Sequence, residues 1–369
     1  MCRTLPLLEV CRRRCSVYAN RRERRQRMPP SEHSPVLSRK KLAILAIKVA
    51  VSLGLLVYLI SRTDVSSIVG AIGQADFRFI GLALLTPFAG YFITSKRWQG
   101  LLHVQGAEIP QGVLLRSCMV AMFFNQIMPS TIGGDVVRAY DSSRSGAGRQ
   151  VALSAILVDR VMGLFALSLF AVGSLFILRH DVSKAGMIPL IVIVIAGGLA
   201  CTVTMVFSPI PSVLHCVRWF YRKIPGPVGR FLSKLDLAFE SYRGRYGIFF
   251  RALALSLVLQ INVVVLHYLA GRALGLTPHF TQYFYVVPIA LFVMLIPISI
   301  NGIGIREGIF TLLLSSYGVG KPEALAFSFL VYSIFFLHGI LGGLVFLTRG
   351  LHISQLVTQQ ESAPAGGGP

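Results

Sequence analysis

The sequence predicts an all-α polytopic membrane protein, with six full spans plus two re-entrant hairpins arranged as an inverted repeat. Three observations lead there. Of 369 residues, 54% are hydrophobic and only 14% charged, against about 25% charged in a soluble domain. Eight apolar runs, at 42–60, 79–95, 113–128, 151–178, 187–207, 248–271, 283–297 and 324–348, approach the ~20 residues needed to cross a bilayer core. Two of them are short and end in Pro- and Gly-bearing motifs. A β-barrel would instead show short segments of alternating hydrophobicity.

Taken in order, the chain opens with a basic tail, residues 1–41, which holds twelve of the 36 Lys and Arg. It has no apolar h-region, so it reads as neither a signal peptide nor a fold. Met28 opens "MPPSEHSPVLSRKK", a second candidate start. The segment before it is either a disordered tail or the product of an over-long gene prediction. Cys2, Cys11 and Cys15 lie in this tail without a second Cys/His pair, which argues against zinc. The formal charge of +21 raises nucleic acid as a partner. The remaining basic residues mostly flank apolar runs, however, as cytoplasmic loops beside anionic lipid do. The partner expected from charge placement is the membrane, with no nucleic acid.

The transmembrane domain, 42–350, divides into halves at about 42–178 and 187–348. If all eight runs crossed fully, loop 208–247 would face outward with Arg218, Arg222, Lys223, Arg230, Lys234, Arg243 and Arg245, against the positive-inside rule. If runs 113–128 and 283–297 each dip in and return, cytoplasmic segments hold 24 Lys and Arg and external loops 6. Both termini are then cytoplasmic. The bias fixes the first hairpin and says little about the second. An internal repeat supports the second: "PSTIGGDVVR" (129–138) aligns with "PISINGIGIR" (297–306), matching Pro129 with Pro297, Ile132 with Ile300, Gly134 with Gly302 and Arg138 with Arg306. Three crossings per half invert the second half, and inverted repeats with broken helices at the midplane mark transporters.

Broken backbone at membrane depth is tolerated only inside protein or against a wet cavity. Pro129 ends the incoming helix, Gly133 and Gly134 allow the turn, and Ser130 and Thr131 are candidate caps of the returning half-helix. Its N-terminus, pointing into the membrane, favours an anion such as a lipid phosphate. The acidic residues within the membrane segments are Asp135, Asp159 and Glu307, with Arg138, Arg160 and Arg306 as their cations. A lone charge mid-bilayer costs at least ~2.5–3.5 kcal/mol, so these six residues require partners or a cavity. Two readings follow: structural ion pairs, or a substrate site.

Gln260 and Asn262 read as interhelical hydrogen-bonding groups, and His267 and His338 as packed histidines. Gly339 and Gly343 suit close helix packing. Trp98 and Trp219, flanked by Lys96, Arg97 and Arg218, read as interfacial anchors. The amphipathic stretch within 211–246 places Val228, Phe231, Leu232, Leu235, Phe239 and Tyr242 on one face and reads as a helix lying on the cytoplasmic leaflet, with bundle packing as the alternative. "GIGIRE" lacks the context of a dinucleotide fingerprint. The last residues, 351–369, read as a short disordered tail.

"FFNQIMPSTIGGDVVRAY", "ILVDRVMGL" and "IPISINGIGIREG", with "KRWQGLL" before them, resemble the lysylphosphatidylglycerol synthase transmembrane-region family, also called flippase-like domain proteins. The resemblance covers about residues 42–350. It implies membership of a group that includes the membrane half of bacterial multiple-peptide-resistance proteins, which is thought to move aminoacylated phosphatidylglycerol between leaflets, and proteins tied to polyprenyl-linked sugars and hopanoids. By motif it carries over Asn125, Pro129, Gly133, Gly134, Asp135, Arg138, Asp159, Arg160, Asn301, Gly302, Gly304, Arg306 and Glu307. In aminoacyl-lipid synthases a soluble transferase follows the membrane part. Only about 19 residues follow here, so this chain is not expected to make the aminoacyl-lipid itself.

The expected function is movement of a phosphate-bearing lipid, anionic or polyprenyl-linked, between leaflets of the bacterial inner membrane. The alternatives are a scaffold for a separate lipid-modifying enzyme and, behind it, a polyprenyl-phosphate transferase. No DDxxD cluster, metal-spaced His/Cys set or Walker motif occurs, so no enzyme, cofactor or metal is expected.

Overall fold

The computed structural model describes residues 65–128, 133–177, 244–295 and 301–362, with scattered positions between 50 and 61 and at 238, 241–242 and 299. The chain divides into residues 1–46 and 47–369, and every described residue belongs to the second unit. The described elements are helices: α1 Val65–Gly73, α2 Phe77–Val104, α3 Gln111–Ile127, α4 Gly133–Arg144, α5 Arg149–Ile177, α6 Tyr246–Ala273, α7 Phe280–Met294, α8 Ile305–Ser315 and α9 Lys321–Ser362. Four helical segments, Phe77–Val104, Arg149–Gly173, Gly247–Ala273 and Lys321–Arg349, are long and apolar enough to cross a membrane. Together with the composition, they make this an all-helical membrane protein. The first apolar run is described only in part, and the run at 187–207, Pro129, Ser130, Thr131, Pro297 and Trp219 lie outside the described residues.

Helices α2 and α6 form the antiparallel centre. At one end the Asp76 N–H donates to Ala273 O at 2.8 Å. Midway, Asn262 Nδ2 donates to Thr86 O at 3.0 Å, which bears out the interhelical reading of Asn262. At the other end Gly100 faces Ile248. α2 begins with Asp76 Oδ1 accepting from the Arg78 N–H at 2.9 Å, an N-cap. Pro87 within it cannot donate to Ala83 O. Thr86 Oγ1 supplies the missing donor at 2.8 Å, as apolar surroundings require.

Helices α3 and α4 make a U. At its tip the Gly134 N–H donates to Asn125 Oδ1 at 2.8 Å. At its base Arg349 of α9 reaches both feet, donating to Asp141 Oδ2 at 2.6 Å and to Val113 O at 3.3 Å. A Cβ on Gly134 would lie 2.6 Å from Ala121 O, so only glycine lets the two arms close here.

Helices α7 and α8 make the second U. Between them Asn301, Gly302 and Gly304 have φ of 50°, 76° and 83°. This run of left-handed backbone cannot continue a helix and is the reason for two glycines and an asparagine. The base of this U lies at the end of the bundle where α9 starts, beside α1, whose Ile68 packs with Leu325 and Ala326. The base of the first U lies at the opposite end, near Arg349. The tips meet: Asn301 Nδ2 donates to Gln126 O at 3.1 Å.

Each hairpin packs on the last helix of the other half. Phe124 stacks edge-on against Phe346 of α9 at 5.3 Å, and Gly339 and Gly343 lie against Gln126 and Phe123, as their spacing predicts. In the mirror pairing Phe284 of α7 stacks on Phe170 of α5 at 5.7 Å.

Three expectations are corrected. Trp98 is no interfacial anchor: it is fully buried, in a core cluster with Leu101, Leu102, Leu114 and Met162. At the end of the amphipathic segment, Ala238 and Tyr242 join that cluster rather than lying on lipid. Tyr242 Oη donates to Leu101 O at 3.2 Å and pairs with Gln105, and burial holds its phenol well above the usual tyrosine range. The rest of that segment lies outside the described residues. Lastly, α9 continues to Ser362, so residues 351–362 are helical rather than the start of a tail. His267 and His338 are packed as expected, each Nδ1 against the carbonyl four residues back at 2.8 and 2.9 Å.

Candidate functional site

Two buried charge centres flank the meeting point of the tips. In the first, Asp159 of α5 is 2% exposed. Its Oδ1 accepts from Arg97 Nε at 2.6 Å and its Oδ2 from Arg138 at 3.0 Å. Arg97 also donates to the Ser256 hydroxyl of α6 at 2.6 Å. The Arg138 guanidinium lies 4.4 Å over the Trp98 ring and 3.7 Å from Asp135. Asp135 in turn accepts from Arg160 at 2.6 Å. Five charges from α2, α4 and α5 thus form one network, anchored to α6. Arg160 is at its rim, with 49% of its side chain exposed.

The pairing differs from sequence order. Asp159 and Arg160 do not pair with each other, because consecutive helical residues point ~100° apart. Asp159 turns inward to Arg97 and Arg138, while Arg160 turns to Asp135. Arg97 is the candidate site residue that the sequence did not point to: its position placed it at a membrane edge, and three acids balanced by three cations in the membrane segments left no charge to call for another guanidinium.

Network composition decides its electrostatics. It contains three guanidiniums and two carboxylates among the described residues, a surplus of one positive charge. Arg138 Nε and Trp98 Nε1 are buried donors without a hydrogen-bond partner there. The N-terminus of α4 adds its positive dipole end. Asn125 takes up one of its free N–H groups, the capping function expected of Ser130 and Thr131, which lie outside the described residues.

The second centre is smaller. Arg306 of α8 donates to Glu307 Oε1 at 2.5 Å and to Ser328 of α9 at 3.3 Å. Its guanidinium lies 4.3 Å over the Tyr332 ring. Glu307 Oε2 accepts from the Gly304 N–H at 2.6 Å, closing the N-terminus of α8. Both centres stack their repeat arginine on an aromatic ring, Arg138 on Trp98 and Arg306 on Tyr332. They differ in charge: the first adds Arg97 and Arg160 to its repeat arginine, whereas among the described residues the second holds Arg306 with Glu307 and the neutral Ser328, and has no surplus.

Of the predicted site residues, Gly133, Gly134, Asp135, Arg138, Asp159 and Arg160 gather at the first hairpin and Gly302, Gly304, Arg306 and Glu307 at the second. Asn301 reaches the first tip through Gln126, and Asn125 closes that tip. The family model for the lysylphosphatidylglycerol synthase TM region matches residues 45–362. The chain belongs to this family. The match spans both hairpins and both charge centres, and it supports a lipid-related function in a membrane. Among curated proteins none matches the chain.

Proposed function

We propose that this member of the lysylphosphatidylglycerol synthase TM-region family moves a phosphate-bearing lipid, phospholipid or polyprenyl-linked, between leaflets of the bacterial inner membrane, without enzymatic chemistry of its own. In this reading six helices span, the two U-shaped hairpins are re-entrant, and both termini are cytoplasmic. The observation that carries it is the tip-to-tip contact of hairpins from opposite ends of the bundle, Asn301 to Gln126, with a buried arginine close behind each tip. Such an arrangement provides two half-paths that share one thin barrier. The first centre, with the buried Arg138 Nε unpartnered among the described residues and the N-terminus of α4 beside it, attracts a phosphodiester from one side. The neutral second centre releases it on the other, since a site that held an anion too tightly would stop transfer.

The test is leaflet exchange in liposomes containing the purified protein and labelled lipids of several head groups. Exchange of a phosphate-bearing lipid above the protein-free rate is expected. No exchange for any phospholipid or polyprenyl phosphate, from a protein shown to be folded, overturns the proposal.

A further inference from the structure

A second polar feature lies outside both charge centres. At the end of the bundle where α2 finishes, a cleft of about 500 Å³ is lined by Lys96, Gln99, His103, Glu108 and Arg251. It adjoins a second, about 530 Å³, lined by His103, Gln105, Ser241 and Arg245. His103 borders both. Their walls come from three parts of the chain: the last turns of α2, the loop to α3, and the start of α6 with the residues just before it.

Charge in these clefts is arranged unlike that of the buried network. Arg97, Arg138, Arg160, Arg306 and Arg349 all engage carboxylates. Lys96, Arg245 and Arg251 form no ion pair among the described residues, although Glu108 lies in the same wall. Among the described residues, Lys96 and Arg251 in the first cleft, Arg245 in the second and His103 between them thus stand against a single carboxylate, and cations gathered in a concavity attract an anion.

Depth narrows the choice of anion. Lys96 lies ~29 Å along α2 from Phe77 and His103 ~39 Å. A hydrocarbon core is ~30 Å thick. The cleft thus begins where hydrocarbon ends, at the level of lipid phosphates. Lys96 and Arg97 are neighbours on one helix turn: Lys96 faces the cleft, and Arg97 holds Asp159 in the buried centre. The cleft and the first charge centre thus share the last turns of α2.

We propose that this cleft is a head-group site for a phosphate mono- or diester, supplied by an anionic lipid of the adjoining leaflet, and that it loads the path described above. It rests on the proposed transport function only for that loading role; binding is measurable separately. The experiment uses the full chain in nanodiscs and measures saturable binding of fluorescent phosphatidylglycerol, with phosphatidylcholine as the uncharged comparison. The native protein prefers phosphatidylglycerol. Lys96→Gln with Arg251→Gln lowers that affinity on the order of tenfold, two near-surface cations being removed. Glu108→Gln, at an exposed unpaired residue, raises it severalfold and serves where the double variant folds poorly. Unchanged affinity, within twofold, in either folded variant overturns the site. Inorganic phosphate and glycerol 1-phosphate are added as competitors. Displacement by millimolar phosphate assigns the cleft to any phosphate ester, and resistance to it assigns the cleft to the lipid. Leaflet exchange is scored in parallel: binding that responds to these variants without exchange keeps the site and removes the transport reading.

Discussion

Asp159→Asn is the most discriminating single change in the bundle. It preserves volume and removes the charge on which two guanidiniums converge, at 2.6 and 3.0 Å. The side chains of Arg97 and Arg138 are 6% and 8% exposed, so water cannot take over. Breaking a buried pair by removing one partner costs ~3–5 kcal/mol, because a charge is left buried and uncompensated. Two remaining contacts soften the loss: Arg97 keeps the Ser256 hydroxyl at 2.6 Å and Arg138 keeps Asp135 at 3.7 Å. A destabilisation of about 3–4 kcal/mol results. The assay is reversible unfolding of the full chain in mixed micelles. The double variant Asp159→Asn with Arg97→Met removes one of the stranded guanidiniums, so its loss should fall short of the sum of the single losses by about 1–3 kcal/mol. An Asp159→Asn protein within about 1 kcal/mol of native stability would refute the view that this carboxylate organises the centre.

Other expectations concern the hairpins. Arg138→Lys and Arg306→Lys should fold yet lose most leaflet exchange, because an ammonium lacks the guanidinium's planar fork and stacking face; native exchange rates in both would leave the arginines a purely structural role. The charge swap Arg138→Asp with Asp135→Arg should destabilise the bundle, because it sets a carboxylate against the buried Asp159 and a guanidinium against Arg160; a swapped protein with native stability and full exchange would count against a substrate role for the first centre. Gly134→Ala places a Cβ against Ala121 O and should cost about 1–3 kcal/mol, whereas Gly81→Ala, with open space around it, should be neutral or mildly stabilising. In a background stripped of native cysteines, Ser145→Cys and Pro225→Cys should label with an impermeant thiol reagent from the cytoplasm and Ser316→Cys from outside; external labelling of position 225 would exclude the proposed topology.

Helix class, the two breaks and most of the charged site were readable from sequence because each leaves a local mark. Gly302 and Gly304 mark left-handed backbone, Gly134 marks close approach, and acidic residues in apolar runs stand out by type. What was not readable depends on azimuth. Arg97 and Trp98 stand where a span approaches its end, so position alone assigned them to the interface. Only the packing of α2 against α5 and α6 turns them inward. Asp159 and Arg160, adjacent in the chain, diverge around their helix and find different partners. Tyr242 shows the same limit, since an apolar face does not say whether lipid or protein will cover it.

Arg349 has a mechanical consequence. By holding Val113 and Asp141 together it straps both legs of the first hairpin to the closing helix of the second half, while Phe170 and Phe284 couple the second hairpin to the closing helix of the first. Each hairpin is thus fastened twice, to the closing helix of its own half by buried charge, Arg138 on Asp159 and Arg306 on Ser328, and to that of the other half by Arg349 or by stacked rings. The two halves are therefore stitched into one another rather than laid side by side, and the seam between Asn301 and Gln126 lies where both sets of fastenings converge.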